Sequence, residues 1–137
     1  MTRAELHTFI AGHRYAVLGT VSSGGTPQGA VVGIAVTSDL EIVFDTVKTS
    51  RKYGNLLARP ECSVTLWTSE TTVQYEGRAT ELTGSELEGY REAYFAAFPD
   101  GRDRLSWPGI THFVIRPKWI RYSDFDKNPQ QIEEFRF

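Results

Sequence analysis

Alternating positions along the chain predict a protein built mainly from β-strands. Ile42, Phe44 and Thr46 form one side of a two-residue repeat, and the longer segment 72–82 alternates apolar with polar residues in the same way. Turn-forming residues separate these segments at the spacing typical of a small closed barrel. The predicted strands cover residues 15–21, 28–37, 41–46, 62–68, 72–82, 111–116 and 119–123.

Two details of this pattern lead to further expectations. Gly33 lies within the second strand, where a glycine marks either the close approach of a ligand or a barrel corner. Pro117 and Lys118 are expected to separate the last two strands. The charged tail 124–137 is expected to fray unless it docks on another part of the molecule.

Two or three short helices complete the pattern. The first falls within residues 2–12, and the second, 51–58, follows Ser50, whose hydroxyl can accept a hydrogen bond from the first turn. A third helix is predicted to begin at Ser85, with Glu88 at capping-box spacing. Its apolar stripe is interpreted as a packing surface.

Length and charge limit the classes of protein to consider. With 137 residues and a formal net charge of −2, the chain is predicted to form a single domain, 1–137, with no general attraction to nucleic acid. Charged residues and histidines interrupt the first 17 residues, so we expect no signal peptide. No apolar run approaches the ~20 residues of a membrane helix. We therefore expect a cytoplasmic protein with no membrane partner.

The usual groups of a catalytic centre are not recognisable in this sequence. Cys62 is the only cysteine and lies in an apolar strand, so a buried structural thiol is expected. The three histidines, at positions 7, 13 and 112, lack metal-ligand spacing, and no metal site is predicted. No catalytic residue is identified. An enzyme of this composition would take its chemistry from a cofactor.

The start of the second helix carries the clearest candidate chemistry. Ser50, Arg51 and Lys52 follow one another where the first-turn N–H groups and the positive end of the helix dipole point outward. This arrangement suits a phosphate monoester, because arginine supplies a planar fork of donors and lysine a compact charge. The alternative is a capped surface helix with two solvated cations. The pattern alone leaves both interpretations open.

The same stretch resembles a known family. Phe44-Asp45-Thr46, Ser50-Arg51-Lys52, Asn55-Leu56 and Arg59-Pro60 resemble the FMN-phosphate segment of the pyridoxamine 5'-phosphate oxidase-like split barrels, and residues 19–28 resemble that superfamily's opening hairpin. The resemblance implies a mainly β (α+β) fold: a six-stranded antiparallel Greek-key split barrel. It also implies a homodimer that binds FMN at the subunit boundary.

The resemblance further implies which residues bind the cofactor. The flavin phosphate would bind Ser50, Arg51 and Lys52, and Thr46 with the backbone of residues 31–33 would lie along the ribityl chain and ring. The implied cofactor-binding set is Ala30, Val31, Val32, Gly33, Asp45, Thr46, Ser50, Arg51, Lys52, Thr72 and Gln74.

Several departures argue against an authentic pyridoxamine phosphate oxidase. Ala30 and Ala35 stand where the parent enzyme has cations, and Thr72 stands where it has a glutamine. The C-terminal arginine and histidine that hold the vitamin phosphate have no counterpart here. The resemblance therefore implies an FMN-dependent oxidoreductase, with hydride transfer through the flavin to or from another small redox substrate. The alternatives are a deazaflavin-dependent reductase and a non-catalytic flavin or haem carrier. A nucleic-acid-binding barrel is disfavoured by the acidic balance.

Overall fold

A computed structural model describes all residues from 1 to 137 and contains eight strands. They are β1 (Tyr15–Val21), β2 (Pro27–Gly33), β3 (Ala35–Val36), β4 (Ile42–Val47), β5 (Glu61–Thr68), β6 (Thr71–Glu81), β7 (Ile110–Asp124) and β8 (Gln131–Arg136). The α-helices are α1 (Arg3–Ala11), α2 (Arg51–Ala58) and α3 (Ser85–Ala97), and a 3₁₀ segment spans Pro99–Ser106.

The strands form one antiparallel sheet in the order β2-β1-β5-β6-β7-β4-β3, and β8 pairs with the second half of β7. The two strands at the ends of this order, β2 and β3, follow each other directly in the chain. Strand β2 pairs with β1 at one edge of the sheet, and β3 pairs with β4 at the other edge. This connection curls the sheet into a half-barrel.

The inner face of the half-barrel holds the main core. Side chains that point inward from every long strand form one buried cluster, which α1 and α2 help to cover. Burial alternates along β6 from Val73 to Thr80, with Val73 and Tyr75 buried and Gln74 and Glu76 exposed, as the two-residue period predicts. The Tyr75 hydroxyl donates to the carbonyls of Leu40 (2.8 Å) and Ile115 (3.0 Å), which satisfies this polar group inside the core.

The outer face of the sheet is covered only in part. Helix α3 packs across β3, β4 and β7 through a second cluster: Ala35, Val43, Leu82, Tyr94, Phe95, Phe98 and Val114. The predicted packing role of the α3 stripe is therefore confirmed. The outer face of β1, β2, β5 and β6 carries no covering element, and large apolar side chains remain exposed there.

The strand count differs from the six strands expected. The segment predicted as one strand, 28–37, divides because the Ile34 N–H turns to the Arg14 carbonyl (3.0 Å) before β3 pairs with β4. The tail, expected to fray unless it docks, docks on β7 as strand β8, and the Met1 ammonium lies 3.4 Å from the Glu133 carboxylate of that strand. Pairing with residues distant in the chain therefore explains both the division of segment 28–37 and the ordering of the tail.

The predicted break at Pro117 is also wrong. Strand β7 continues through it, and the register shifts opposite Gly77, so that Lys118 has no partner in β6. A bulge of this kind accommodates a residue without an N–H. A Cβ at Gly77 would lie 2.6 Å from the Arg116 carbonyl oxygen, so the two backbones approach closely here.

Helix α3 begins without the expected capping box. Gly84 occupies the N-cap position with positive φ, and no side chain caps the first turn. The Ser85–Glu88 pair therefore lies one residue too late to form the box. None of the helices combines the length and the apolar character that crossing a bilayer requires.

Candidate functional site

The end of β4 and the start of α2 are joined by two hydroxyl groups. The Thr46 Oγ1 and Ser50 Oγ atoms lie 2.9 Å apart, and Ser50 Oγ also accepts from the Tyr53 N–H (3.3 Å). Ser50 is thus the N-cap that the sequence predicts. These contacts orient the first turn of α2 and its two cations.

A small cavity lies between this helix and the β1–β2 hairpin. Its volume is about 110 Å³, and it is lined by Leu18, Thr20, Gln28, Gly29, Ala30, Arg51 and Lys52. Two of its walls carry cationic side chains, and no carboxylate lines it. No salt bridge in the protein involves Arg51 or Lys52. We refer to this cavity as the cationic cradle.

Asn55 orients two neutral groups of the cationic cradle. Its Nδ2 atom donates to Thr20 Oγ1 (3.0 Å) and to Gln28 Oε1 (2.8 Å). Because both oxygens accept, the Thr20 O–H and the Gln28 NH₂ are left free as donors. Asn55 therefore adds hydrogen-bond donors to a cavity that already carries positive charge.

The predicted residues of the second strand face different directions. Ala30 lines the cationic cradle, whereas Val32 is buried in the main core and Val31 points outward with 68% of its surface exposed. Gly33 is approached by the Phe98 ring, and a Cβ at Gly33 would lie 2.6 Å from that ring. Close packing by an aromatic side chain therefore requires a small residue at this position.

The Asp45 carboxylate has hydrogen-bond partners that the sequence did not indicate. Its carboxylate accepts from Arg104 Nε (2.9 Å) and from the Tyr94 hydroxyl (3.1 Å). The bond to Asp45 raises the pKa of Arg104, and burial raises the pKa of Tyr94. The Asp45 side chain thus anchors the 3₁₀ segment and α3 to β4.

Thr72 and Gln74 lie on the outer face of the sheet. Register pairing places Gln74 beside Thr65, Thr65 beside Val17, and Val17 beside Val31. Gln74 and Val31 therefore share a row on the uncovered face, three strands apart. Within one chain, neither Thr72 nor Gln74 lines the cationic cradle.

The predicted cofactor-binding set omits Thr20, Gln28 and Asn55, although the resemblance includes Asn55 in the phosphate segment. Thr20 and Gln28 are register partners on β1 and β2, and both are within reach of the same face of α2. The available signal was that each polar residue continues an inward-facing apolar row, Thr20 after Ala16 and Leu18, and Gln28 before Ala30 and Val32. The side chains of two polar residues that point toward a core need a partner, and Asn55 supplies it.

The lone thiol and the third histidine lie apart from the cationic cradle. Cys62 points inward beside the core, and burial raises its pKa to about 12, in agreement with the predicted structural role. His112 is buried on β7 next to Tyr94 and Phe95, and burial lowers its pKa. Neither residue lines the cradle.

Comparison with known proteins identifies relatives of this chain. A family model described as "Pyridoxamine 5'-phosphate oxidase" matches residues 2–124. No curated protein sequence matches the chain.

Among solved structures, similar folds occur in a haem-binding protein from Mycobacterium smegmatis (TM-score 0.84, 18% identity) and in an FMN-binding protein related to pyridoxamine 5'-phosphate oxidase from Nostoc punctiforme (TM-score 0.72, 14% identity). The first alignment covers 98% of this chain and 57% of the other protein, and the second covers 98% and 92%.

A haem storage protein from Vibrio cholerae is also similar, with a TM-score of 0.68 and 16% identity over 83% of this chain and 88% of its own. The structural neighbours are split-barrel proteins, so the predicted mainly β split-barrel fold is confirmed. They include both FMN-binding and haem-binding proteins.

Proposed function

We propose that this chain, which belongs to the pyridoxamine 5'-phosphate oxidase family, binds FMN as a homodimer and transfers hydride to or from a small molecule in the cytoplasm. The cationic cradle is the observation that carries the proposal. Arg51 and Lys52, without ion-pair partners, stand beside a cavity that Thr20 and Gln28 supply with neutral donors. Such a group of donors suits an anion.

The size of the cradle favours a phosphate group over a whole cofactor. At about 110 Å³ it is smaller than the ~300–1,000 Å³ that a complete small-molecule site occupies. The positive end of α2 adds to the two side-chain charges. We therefore assign the FMN phosphate to Arg51, Lys52, Thr20 and Gln28, with the rest of the cofactor outside the cradle.

The flavin ring, once bound, would supply the capacity to accept or donate hydride. The protein would contribute binding and orientation, since no carboxylate or histidine lines the cradle. The Thr46–Ser50 hydroxyl pair would hold the helix start in position. Because the cofactor would supply the chemistry and the protein the binding, the lack of a recognisable catalytic group in the sequence is expected.

The uncovered outer face supports the homodimer. Tyr15, Val31, Trp67 and Ile132 lie on this face and expose 57%, 68%, 57% and 51% of their surfaces. Exposed apolar patches of this kind mark interaction sites. A second copy of the chain would cover them, and it would bring another Gln74 to the boundary. We expect an interface of roughly 2,000 Å² or more in total.

The test of the phosphate assignment is a pair of titrations. Arg51→Ala and Lys52→Ala should each weaken FMN by roughly ten- to 150-fold, because each removes a charge-assisted contact of about 1.5–3 kcal/mol. Riboflavin has the same ring without the phosphate, so its affinity should barely change. Arg102→Ala, which removes an exposed arginine paired with Glu92 and absent from the cradle, is the control and should affect neither ligand.

Two results would contradict this assignment. Equal weakening of FMN and riboflavin would mean that the substitutions damage the ring site or the fold. No weakening of either ligand would mean that Arg51 and Lys52 are solvated surface charges.

The haem-binding neighbours favour one competing function, a non-catalytic haem carrier. The visible spectrum of freshly purified protein distinguishes the cofactors, because a bound flavin gives the protein visible absorption bands of its own. A Soret band would replace our proposal with haem carriage. A colourless protein that binds only a deazaflavin coenzyme on titration would replace it with a deazaflavin-dependent reductase.

The dimer is tested separately by light scattering. Val31→Glu should convert the dimer to a monomer, because a charge placed at the centre of an apolar interface loses its hydration. Leu57→Glu, at a comparably exposed position on α2, should leave the dimer intact. A wild-type monomer that retains flavin would overturn the dimer proposal.

A further inference from the structure

A second cavity, distinct from the cationic cradle, lies beside the first half of α3. Its volume is about 500 Å³, and it is lined by Lys48, Glu81, Leu82, Thr83, Gly84, Leu87, Arg91, Leu105, Ile110, Thr111 and His112. It shares no lining residue with the cradle. We refer to it as the α3 crevice.

Two buried nitrogen atoms of the α3 crevice lack hydrogen-bond partners. They are Arg91 Nε and His112 Nε2, and only 3% of the surface of His112 is exposed. A buried polar atom without a partner is rare, because it has lost its contacts with water and gained nothing in return. Both residues line the crevice, so an acceptor group that enters it would meet these unpaired nitrogens once the two side chains turn toward it.

The charges of the crevice favour an anion. Lys48 and Arg91 have no ion-pair partner in the protein. Glu81 is the only acidic residue of the lining, and its carboxylate already accepts from the Tyr53 hydroxyl (3.1 Å) and the Thr111 hydroxyl (2.6 Å). These neutral donors leave the charge of Glu81 in place, and two cations with one carboxylate give the lining a net charge of +1.

The remaining walls are apolar. Leu82, Leu87, Leu105 and Ile110 contribute aliphatic surface, and 500 Å³ falls within the range of sites for small organic molecules. Inorganic phosphate or sulfate would leave this surface uncovered. A ligand with a carboxylate at one end and an apolar body matches both parts of the lining.

We propose that the α3 crevice is a binding site for a small organic carboxylate, whose head group hydrogen-bonds Arg91 and His112 and whose apolar body packs on the surrounding leucines. Arg91 would provide the charged donor, and the neutral His112 ring would donate one N–H. Lys48 would add charge at the same crevice. This site does not depend on the proposed FMN binding.

The test uses benzoate, with benzamide as a neutral molecule of the same shape. Calorimetric titration of the wild-type protein should show saturable binding of benzoate and at least about tenfold weaker binding of benzamide, since a charge-assisted hydrogen bond contributes at least this much. Binding should move the NMR signals of the His112 ring. Comparable affinities for the two probes, or no saturable benzoate binding, would overturn the proposal.

Matched variants locate the binding. Arg91→Gln should weaken benzoate at least about tenfold, and Arg91→Lys should also weaken it, because lysine keeps the charge but lacks the Nε donor. The second variant keeps the test decisive if the first fails to fold. Arg102→Gln, which removes an arginine exposed and paired with Glu92, should bind benzoate like the wild type.

Arg51→Ala distinguishes benzoate binding in the α3 crevice from benzoate binding in the cationic cradle. It should leave benzoate affinity unchanged while it weakens FMN. If Arg51→Ala rather than Arg91→Gln abolishes benzoate binding, the carboxylate occupies the cationic cradle and the crevice assignment is wrong.

Discussion

Replacing Asn55 by aspartate gives a sharp test of the cationic cradle. Asn55 Nδ2 donates to Thr20 Oγ1 at 3.0 Å and to Gln28 Oε1 at 2.8 Å, which leaves their own donors free for an anion. An aspartate of the same shape can only accept. The Thr20 hydroxyl and the Gln28 amide can rotate and donate to it, so the fold keeps its internal hydrogen bonds. The anion site, however, loses both donors.

The size of the effect follows from these contacts. Two hydrogen bonds to a charged phosphate contribute about 1.5–3 kcal/mol each, so losing both weakens FMN binding by at least about 3 kcal/mol. The new carboxylate also repels the phosphate through a partly buried region. We therefore expect FMN affinity to fall by at least about 100-fold. Riboflavin affinity should stay within about twofold of the wild type.

Thermal unfolding distinguishes this effect from simple damage. The Tm of Asn55→Asp should remain close to that of the wild type, because the rotated groups still form hydrogen bonds. Asn55→Leu forms none of them, so it should lose about 2 kcal/mol of stability, or about 7 °C in Tm for a chain of this length. Asn128→Asp makes the same chemical change at an exposed turn and should alter neither binding nor Tm.

The reasoning fails if Asn55→Asp keeps wild-type FMN affinity. It also fails if FMN and riboflavin weaken together. The first result would mean that no anion contacts Thr20 and Gln28, and the second that Asn55 acts only through the fold.

Two further predictions concern groups outside the cradle. Asp45→Ala leaves the half-buried Arg104 and the Tyr94 hydroxyl without their partner, so it should cost about 2–4 kcal/mol in chemical denaturation, whereas Arg102→Ala breaks an exposed pair and should cost less than about 1 kcal/mol. Equal costs would contradict a structural role for Asp45. Because burial raises the Cys62 pKa to about 12, the thiolate forms only as the pH rises toward that value, and alkylation by iodoacetamide at about pH 8 should be about three orders of magnitude slower than in urea-unfolded protein. Rapid labelling of the folded protein would refute the burial argument.

Local sequence was sufficient for features whose partners are close in the chain. The two-residue period located the long strands, because side chains of a strand alternate between a core and a second face whatever the strand pairs with. Ser50 was recognisable as an N-cap, since the N–H group it accepts from lies three residues later. Arg51 and Lys52 could be assigned to the start of α2 for the same reason.

Local sequence did not indicate contacts with distant partners. The resemblance implied Asp45 for the cofactor, and the structure shows that its carboxylate also binds Arg104, which lies 59 residues away in the chain. Gly33 left a ligand and a barrel corner as alternatives, and the structure adds the Phe98 ring, which lies beside it. In both cases the structure gives a tertiary contact to a residue for which the sequence indicated a role in binding.

The composition of the cradle depended on tertiary structure most of all. Asn55 reaches Gln28 across 27 residues and Thr20 across 35, and no local pattern connects them. The pairing of β1 with β2 sets these two side chains opposite each other, and the curl of the sheet brings α2 over them. Sequence by itself determined the charge at the helix start, because capping and helix dipoles act within one turn. Only the closure of the barrel decided which neutral donors stand beside that charge, since closure depends on the register of every strand between them.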